Sequence, residues 1–244
     1  MTSDTATDLF VQRWDTYRQV VDLDLMEHRA LAASTATALE GWLQARPSSA
    51  PAPRLVDLGC GDLAQLAPLL RRLPLAHYTG LDLCAEVLPR AAAQLGVPAY
   101  PCSWCEQDLL AWALDPQAAQ KPAVQLVHSA YAVHHLSDPD KQRFLVGLRS
   151  RLAPDGLFLW ADVFREPGES REQYLERYCQ RIRQRWHALA GPGAQQVIDH
   201  ISRHDLPADG RAIQRVAEAS GWCWQWLWRG SHRAEALALL TPRP

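Results

Sequence analysis

The sequence has no apolar run long enough to cross a membrane, and its first residues, MTSDTATD, are polar and partly acidic. A membrane span needs about 18 or more consecutive apolar residues, and a secretory signal needs a basic start followed by an apolar stretch. We therefore expect no membrane partner and a cytoplasmic location. The formal net charge of the 244 residues is only −2, so the whole chain has no electrostatic attraction to nucleic acid or anionic lipid.

The six cysteines show neither a disulfide framework nor a complete zinc pattern. In a chain of this length without a secretion signal, cysteines are expected to be reduced. Cys102 and Cys105 form a C-x-x-C pair, but a structural zinc site needs a second pair of ligands at comparable spacing, and none is visible. We expect both side chains to pack as small hydrophobes, and we expect no metal site.

What the sequence does contain is an alternation of short apolar strands and helical stretches. Hydrophobic residues make up 48% of the chain, which is enough for a large core. Strands are predicted at 54–58, 77–83, within 99–107, at 123–130 and at 156–164, and the chain closes with two strands that form an antiparallel hairpin. Strands separated by helices imply right-handed crossovers and a mainly parallel sheet. We predict an open, doubly wound α/β sheet of seven strands with helices on both faces.

Two helical segments lie outside this alternation. Apolar residues recur at helical spacing over the first 45 residues, and a Pro/Ser-rich stretch at 45–53 separates them from the first strand. The stretch 169–204 also has a helical pattern and begins with a capping box formed by Ser170 and Gln173. We predict a helical cap over residues 1–50 and a main domain over 51–244 that carries a helical insertion at about 165–210.

The stretch RLVDLGCGDLA, residues 54–64, leads from an apolar strand through a glycine turn into a helix. Gly59, Gly61 and Ala64 fit the G-x-G-x-x-G/A spacing of a dinucleotide loop. Asp57 precedes the first glycine, however, and no Arg or Lys lies in the turn or the first part of the helix. A carboxylate repels a pyrophosphate and attracts an ammonium or sulfonium group. The turn therefore favours a cationic sulfonium ligand, with NAD(P) as the less favoured alternative.

Three carboxylates are expected at the same rim of the sheet, because ligands of open α/β sheets bind beyond the carboxyl ends of the strands. Asp57 ends the first strand, Asp82 ends the second and Asp108 follows the third. An acid after the second strand accepts hydrogen bonds from a ribose diol, which NAD and S-adenosylmethionine both carry. Asp108 could accept from the exocyclic amine of an adenine, or it could simply cap the following helix.

At this point the order of motifs resembles that of the class I S-adenosylmethionine-dependent methyltransferases. VDLGCGD is similar to their first motif, TGLDL to the acidic second, EQDLL to the third, LVHSAYAVHHL to the fourth-strand segment and RLAPDGLFLWADVF to the turn into strand five. The resemblance covers roughly residues 54–164 and 221–241. It departs from the family pattern at PDG, where many members have a proline-glycine pair, and at Leu63, where many have glycine.

The resemblance implies S-adenosylmethionine as cofactor and S-adenosylhomocysteine as product. It places Gly59 and Gly61 against the methionyl part and Asp82 on the ribose hydroxyls. Arg18 or Arg29 could pair with the methionyl carboxylate or be an ordinary solvated arginine. The cofactor-binding residues predicted in this way are Asp57, Gly59, Gly61, Asp82, Leu83, Asp108, Leu109, His128, Ser129 and Arg29.

Methyl transfer from a sulfonium is an in-line displacement, and alignment alone can account for ~7–11 kcal/mol of barrier lowering. A general base is needed only where the acceptor must lose a proton. The candidates are Tyr131, His134 and His135 after the fourth strand, and Asp162 at the end of the fifth. His134 and His135 are adjacent, so on a helix their side chains would point about 100° apart and could not share one task.

The extra chain in front of the cofactor motifs and at 165–210 would, as in similar enzymes, form a lid over a small acceptor. We therefore expect a small-molecule acceptor, methylated at N, S or O, with no DNA partner and with RNA improbable; the oligomeric state is not predicted.

Two sets of side chains are expected on single faces. Arg177, Arg181 and Arg185 are expected on a solvated helix face. The four tryptophans Trp222, Trp224, Trp226 and Trp228 are expected on one face of a strand. The alternative functions are a non-catalytic S-adenosylmethionine-binding module or partner subunit and, less favoured, an NAD(P) oxidoreductase.

Overall fold

The computed structural model describes residues 14–117, 120–189 and 191–244, and the helical pattern before residue 14 lies outside them. The strands are β1 (Arg54–Leu58), β2 (His77–Asp82), β3 (Cys102–Glu106), β4 (Val124–Ala130), β5 (Leu152–Arg165), β6 (Ala208–Asp209), β7 (Trp222–Arg229) and β8 (Glu235–Pro242). Seven of them form one path in the order β3-β2-β1-β4-β5-β8-β7. The first five strands pair in parallel, and β8 is antiparallel to both β5 and β7. The predicted open, mainly parallel sheet is confirmed.

The helices follow the predicted alternation. They are α1 (Trp14–Asp22), α2 (His28–Ala45), α3 (Ala67–Leu70), α4 (Leu88–Leu95), α5 (Leu109–Ala113), α6 (Asp138–Arg151), α7 (Arg171–Arg185), α8 (Gly193–His204) and α9 (Gly210–Ala219). The helix predicted directly after the glycine turn is shorter than expected, since only Ala67–Leu70 is α-helical there. None of the helices in the described chain is long and apolar enough to cross a bilayer.

Alternating side chains of the sheet supply two hydrophobic cores, one on each face. On one face Phe158 and Trp160 of β5 pack with residues of α5, α6 and α9. On the other, Leu157 and Leu159 pack with residues of α2, α3 and α4. Period-two alternation along β5 therefore sorts its apolar side chains between two helical layers. Helices on both faces, as predicted, leave the strand ends as the place for a site.

The cysteine pair and the tryptophans of the edge strands are also placed by this two-sided packing. Cys105 packs against the core of Phe158, whereas Cys102 packs against the opposite core, so the pair behaves as small hydrophobes. The expectation that the four tryptophans share one face is wrong. The pairing of β7 with β8 shifts register between Trp226 and Trp228, which sends Trp228 to the face opposite Trp226.

The insertion between β5 and β6 consists of two helices rather than one continuous stretch over 169–204. Helix α7 begins at Ser170 with the predicted capping box to Gln173 and ends at Arg185, and α8 starts only at Gly193. The two helices share a third apolar cluster with Val20 of α1 and Val163 of β5. The insertion and the N-terminal helix therefore pack on each other above the rim of the sheet.

The arginine stripe on α7 is not a solvated face. Arg181 is buried and forms an ion pair with Glu235 of β8, with 2.6 Å between Nη1 and Oε1. Its Nη2 donates to the carbonyl oxygen of Leu25, 2.7 Å away. Arg177 binds Glu169 beside it. Arg181 is buried because the cap covers this face of α7, and it therefore pairs with Glu235. The spacing of the arginines in the sequence does not reveal this burial.

The turn between α1 and α2, residues 23–27, is tied to three separate parts of the body. Leu25 accepts from Arg181, Met26 accepts from the hydroxyl of Tyr131 (3.0 Å), and the Glu27 carboxylate accepts from the backbone N–H and hydroxyl of Ser231. We call these three contacts the cap clasp. It holds the N-terminal helices over the strand ends.

Candidate functional site

A cavity of about 290 Å³ lies at the carboxyl ends of β1, β2 and β4, beneath the cap and the insertion. Its lining residues come from α1 and α2, from the turns after β1, β2, β3 and β4, and from α7 and α8. The predicted site residues that line it are Asp57, Gly59, Gly61, Asp82, Leu83, Asp108, Leu109, His128, Tyr131, His134 and His135. A concave site at this rim is where open α/β sheets bind their ligands.

The glycine turn after β1 is tightly fixed. The N–H groups of Gly59 and Cys60 both donate to the Leu81 carbonyl at 2.8 Å. Gly59 has φ +70°, and a Cβ atom there would lie 2.5 Å from Cβ of Ala132, so no larger residue fits. Leu63, where the sequence departs from the family pattern, has φ +60°, a conformation in which glycine is unstrained.

Asp82 stands at the mouth of the cavity and orders the turn. One carboxylate oxygen accepts from the Gly61 N–H and the other from the Cys84 N–H, both at 2.9 Å. Burial raises the pKa of Asp82, although these two hydrogen bonds act in the opposite direction. Leu83 follows as an exposed apolar side chain at the rim. Asp108 caps α5 by accepting from the Ala111 N–H at 2.7 Å while it also lines the cavity.

The floor beneath the turn is a buried polar network. Asp57 accepts from Nδ1 of His128 at 2.7 Å and from the hydroxyl of Tyr78 at 3.1 Å. Ser129, in contrast, donates to the carbonyl oxygen of Leu58 and is absent from the cavity lining among the described residues. Its predicted place under the ligand is wrong, because alternation along β4 turns its side chain away from that of His128.

The cofactor end of the cavity is acidic. Burial and then the charges of Asp57, Asp82 and Asp62 raise the pKa of the Cys60 thiol strongly. Arg18 lies beside these acids, with its Nη1 2.9 Å from Oδ2 of Asp62, and no Arg or Lys lines the cavity among the described residues. Such a surrounding repels phosphate groups and attracts a positively charged ligand.

Arg29 does not reach this region. Its guanidinium donates to the carbonyl oxygen of Asp22, and its backbone N–H donates to the side chain of Asp24. It is exposed on the outer side of α2 and lies outside the cavity lining. The prediction that it meets the ligand carboxylate is wrong, because the first turn of α2 presents His28 rather than Arg29 to the interior.

Asp162 at the end of β5 holds His134 in place. It accepts from the His134 N–H at 3.0 Å, from Nδ1 of the same residue at 2.5 Å and from Nε1 of Trp160 at 2.9 Å. The carboxylate is buried and does not line the cavity itself. Asp162 is therefore placed to orient His134 rather than to touch a ligand.

Tyr131 lines the cavity with its ring but not with a free hydroxyl. The hydroxyl donates to Met26, and burial first and nearby carboxylates second raise the pKa of Tyr131 far above its ordinary value. The ring also contacts that of His28, with 5.4 Å between centroids. Tyr131 therefore serves the cap clasp, and its predicted role as a base has no geometric support.

His134 and His135 do not point apart as an α-helix would require. They lie in a 3₁₀ turn, Val133–His135, and their ring centroids are only 4.1 Å apart. Both approach Asp205, a buried carboxylate at the end of α8: Oδ1 is 3.5 Å from Nε2 of His134 and 3.9 Å from Nδ1 of His135. The expectation that the two histidines cannot share one task is wrong.

The two rings have opposite proton affinities. Burial disfavours the charged form of His134, but the charges of Asp162 and Asp205 outweigh it and raise the pKa to about 10. Burial, and then the neighbouring His134, lower the pKa of His135 to about 4. At neutral pH the pair therefore carries one positive charge, on His134, which lies between two carboxylates.

Sequence patterns missed three residues of this site, namely His28, His200 and Asp205. All three line the cavity from the cap and the insertion, segments without a family motif. The one available signal was the density of histidine and acid in DHISRHD, residues 199–205, which helical spacing can bring to one face.

Comparison with known proteins agrees with this geometry. A family model described as a methyltransferase domain matches residues 55–156. A trans-aconitate 2-methyltransferase from Azoarcus sp. (strain BH72) is 37% identical over 116 residues, which are 47% of this chain and 41% of that protein. The chain thus matches less than half the length of this curated relative.

Solved structures show the same fold. The citrinin polyketide synthase CMeT domain has a TM-score of 0.63 at 14% identity, covering 88% of this chain and 53% of that one. Human N-acetylserotonin methyltransferase in complex with SAM has a TM-score of 0.55 at 16% identity, covering 87% and 52%. The motifs in their order, the sheet, the acidic turn and these matches agree: residues 55–156 are similar to a methyltransferase domain, and the chain has the Rossmann-like fold of the solved methyltransferases.

Proposed function

We propose that this protein transfers the methyl group of S-adenosylmethionine to a small-molecule acceptor bound under the cap and the insertion. The observation that carries the proposal is one enclosed cavity with two chemically distinct ends, an acidic end at the glycine turn and a histidine-rich end at Asp205. A cavity of about 290 Å³ closed by helices suits small ligands rather than a macromolecule. The curated relative is named for a small molecule, trans-aconitate, which supports the same class of acceptor.

The residues at the acidic end fit the cofactor. S-adenosylmethionine supplies a cationic sulfonium as methyl donor, and the carboxylates of Asp57 and Asp82 at the glycine turn suit that charge. Asp82 would accept from the ribose hydroxyls, with Leu83 at the rim beside it. Asp108 and Leu109 would contact the adenine. Gly59 and Gly61 would admit the methionyl part, and His128 would lie below it.

The histidine-rich end would receive the acceptor. With a pKa of about 10, His134 already holds a proton at neutral pH, so it is a poor general base. We assign His134 and His135 to holding the acceptor and Asp162 to orienting His134. Alignment of the two ligands in a closed cavity would then supply most of the rate enhancement, for an acceptor atom of N, S or O.

Binding of the product is the first test. S-adenosylhomocysteine at 100-fold its dissociation constant should add ~2.7 kcal/mol of stability, a rise in melting temperature of roughly 5–10 °C. Asp82→Ala should abolish the rise. Glu106→Gln is the matched control, because Glu106 is exposed at the neighbouring strand end and lies outside the cavity lining. A rise with NAD instead of S-adenosylhomocysteine would overturn the proposal.

Turnover separates the enzyme from a binding module. Incubation with S-adenosylmethionine and a panel of small polar acceptors should release S-adenosylhomocysteine with at least one of them. Tight cofactor binding without release on any acceptor would favour the non-catalytic alternative. The division of the chain into a cap over residues 1–50 and an insertion at about 165–210 stays a prediction.

A further inference from the structure

Three ligand-type side chains meet at the acceptor end of the cavity. His134, His135 and Asp205 each offer one atom, and these atoms all lie within 4.8 Å of one another. His134 and Asp205 are buried, His135 is half-buried, and all three line the cavity. They come from two elements far apart in sequence, the 3₁₀ turn after β4 and the end of α8, so the fold brings them together.

Both histidines are oriented through one ring nitrogen. Nδ1 of His134 donates to the Asp162 carboxylate at 2.5 Å, and Nδ1 of His135 lies 3.3 Å from the carbonyl oxygen of His204. Each ring keeps Nε2 as its second nitrogen. Histidines that bind metals nearly always donate their other N–H to a carboxylate or backbone carbonyl in this way.

Asp205 supplies the independent observation. The residue is only 6% exposed, and its Oδ1 is buried without a hydrogen-bond partner among the described residues. Its distances of 3.5 Å and 3.9 Å to the two rings exceed a normal hydrogen bond. The 3.5 Å between Oδ1 and Nε2 of His134 lies near the ligand–ligand spacing of about 3.4 Å expected around a tetrahedral ion with bonds of about 2.0–2.1 Å. A buried carboxylate oxygen without a hydrogen-bond donor needs a cation beside it, and either the protonated His134 ring or a bound metal ion supplies that charge.

We propose that His134, His135 and Asp205 bind a divalent transition-metal ion. Two histidines and one carboxylate are a ligand set of catalytic zinc and non-haem iron sites, and they leave positions free for exogenous ligands. The inference rests on the proposed function, because the ion would lie where the acceptor is proposed to bind. The competing occupant of the site is the proton on His134.

Cobalt binding tests the site directly. Protein treated with a chelator and desalted is titrated with Co²⁺, and the visible d–d absorption is recorded together with the bound cobalt per chain. One ion per chain with nitrogen ligation is expected. Asp205→Asn and His135→Gln should each weaken Co²⁺ binding by at least the roughly 10–100-fold typical of losing a partner of a metal ligand.

His77→Gln is the control for histidine loss. His77 lies on β2 and contacts Ser103 of β3, away from the cavity lining, so this variant should bind Co²⁺ like the wild type. Circular dichroism of each variant establishes that it is folded. A titration without a saturable ion, or equal Co²⁺ affinity in folded Asp205→Asn, would overturn the inference and leave the proton as occupant.

The two proposals fail separately. S-adenosylhomocysteine binding is measured on the same chelator-treated samples, because the cofactor residues do not include the proposed ligands. Intact S-adenosylhomocysteine binding with no Co²⁺ binding would overturn the metal-site inference alone. Bound Co²⁺ with no S-adenosylhomocysteine binding would overturn the proposed function. It would also overturn the assignment of the acceptor to this end of the cavity.

Discussion

Replacing His28 by glutamine should make the protein less sensitive to acid. His28 opens α2 with a ring that is only 8% exposed, and its Nδ1 is buried without a partner among the described residues. Burial lowers the pKa of His28 from its ordinary 6.5 to about 4, against a weaker opposing effect of Asp24. Between these two values the unfolded chain takes up a proton that the native ring refuses, so stability falls as the pH falls.

The size of the effect follows from the two pKa values. Above pH 6.5 both states are neutral and His28 contributes no pH dependence, whereas at about pH 5 the difference in proton binding costs ~2 kcal/mol. In a chain of this size that corresponds to roughly 4–8 °C of melting temperature. His135, with a pKa also of about 4, adds a loss of the same sign that persists in the variant.

Urea unfolding of the wild type and His28→Gln at about pH 7.5 and about pH 5 measures this difference. The quantity compared is the loss of unfolding free energy between the two pH values, so a constant cost of the substitution cancels. His187→Gln, at an exposed position, is the control and should keep the wild-type loss. If His28→Gln loses as much stability in acid as the wild type, the argument from burial is refuted.

Three further substitutions have defined outcomes. Gly59→Ala should destabilise by roughly 1–3 kcal/mol in urea unfolding, because its Cβ would meet Ala132 and its φ is +70°; wild-type stability would contradict the turn geometry. Arg181→Met should cost about 3–5 kcal/mol by stranding Glu235, and a double variant with Glu235→Leu should lose less than the single one. Glu27→Gln should speed amide exchange in α1 while changing global stability by only about 1 kcal/mol; unchanged exchange would argue against the clasp.

The parallel sheet and the acidic turn could be predicted because local signals agree with tertiary structure there. The hydrophobic pattern predicts strand β1, and the glycines after it predict the turn. Asp82 was found because it ends the second strand. These features depend on residues close in sequence, so one chain suffices to find them.

The acceptor end could not be predicted, because it depends on packing between distant segments. Asp205 meets His134 only once α8 folds over the rim, and no spacing in the sequence encodes that approach. The adjacent histidines were misjudged for the same reason, since a 3₁₀ turn, not an α-helix, carries them. Arg29 was expected at the ligand and is exposed, whereas Arg181 was expected in solvent and is buried. The reason is that packing of the cap decides which side of each helix is covered.

The cap clasp has a consequence for the timing of the reaction cycle. Three consecutive residues, Leu25 to Glu27, are fastened to α7, to the loop after β4 and to the β7–β8 turn. To lift the cap, the contacts to these three parts of the structure must break together. We therefore expect the entrance to be either closed or open, with few intermediate states. If the chain turns over as proposed, opening of the cap would slow the departure of the product more than it slows the methyl transfer itself.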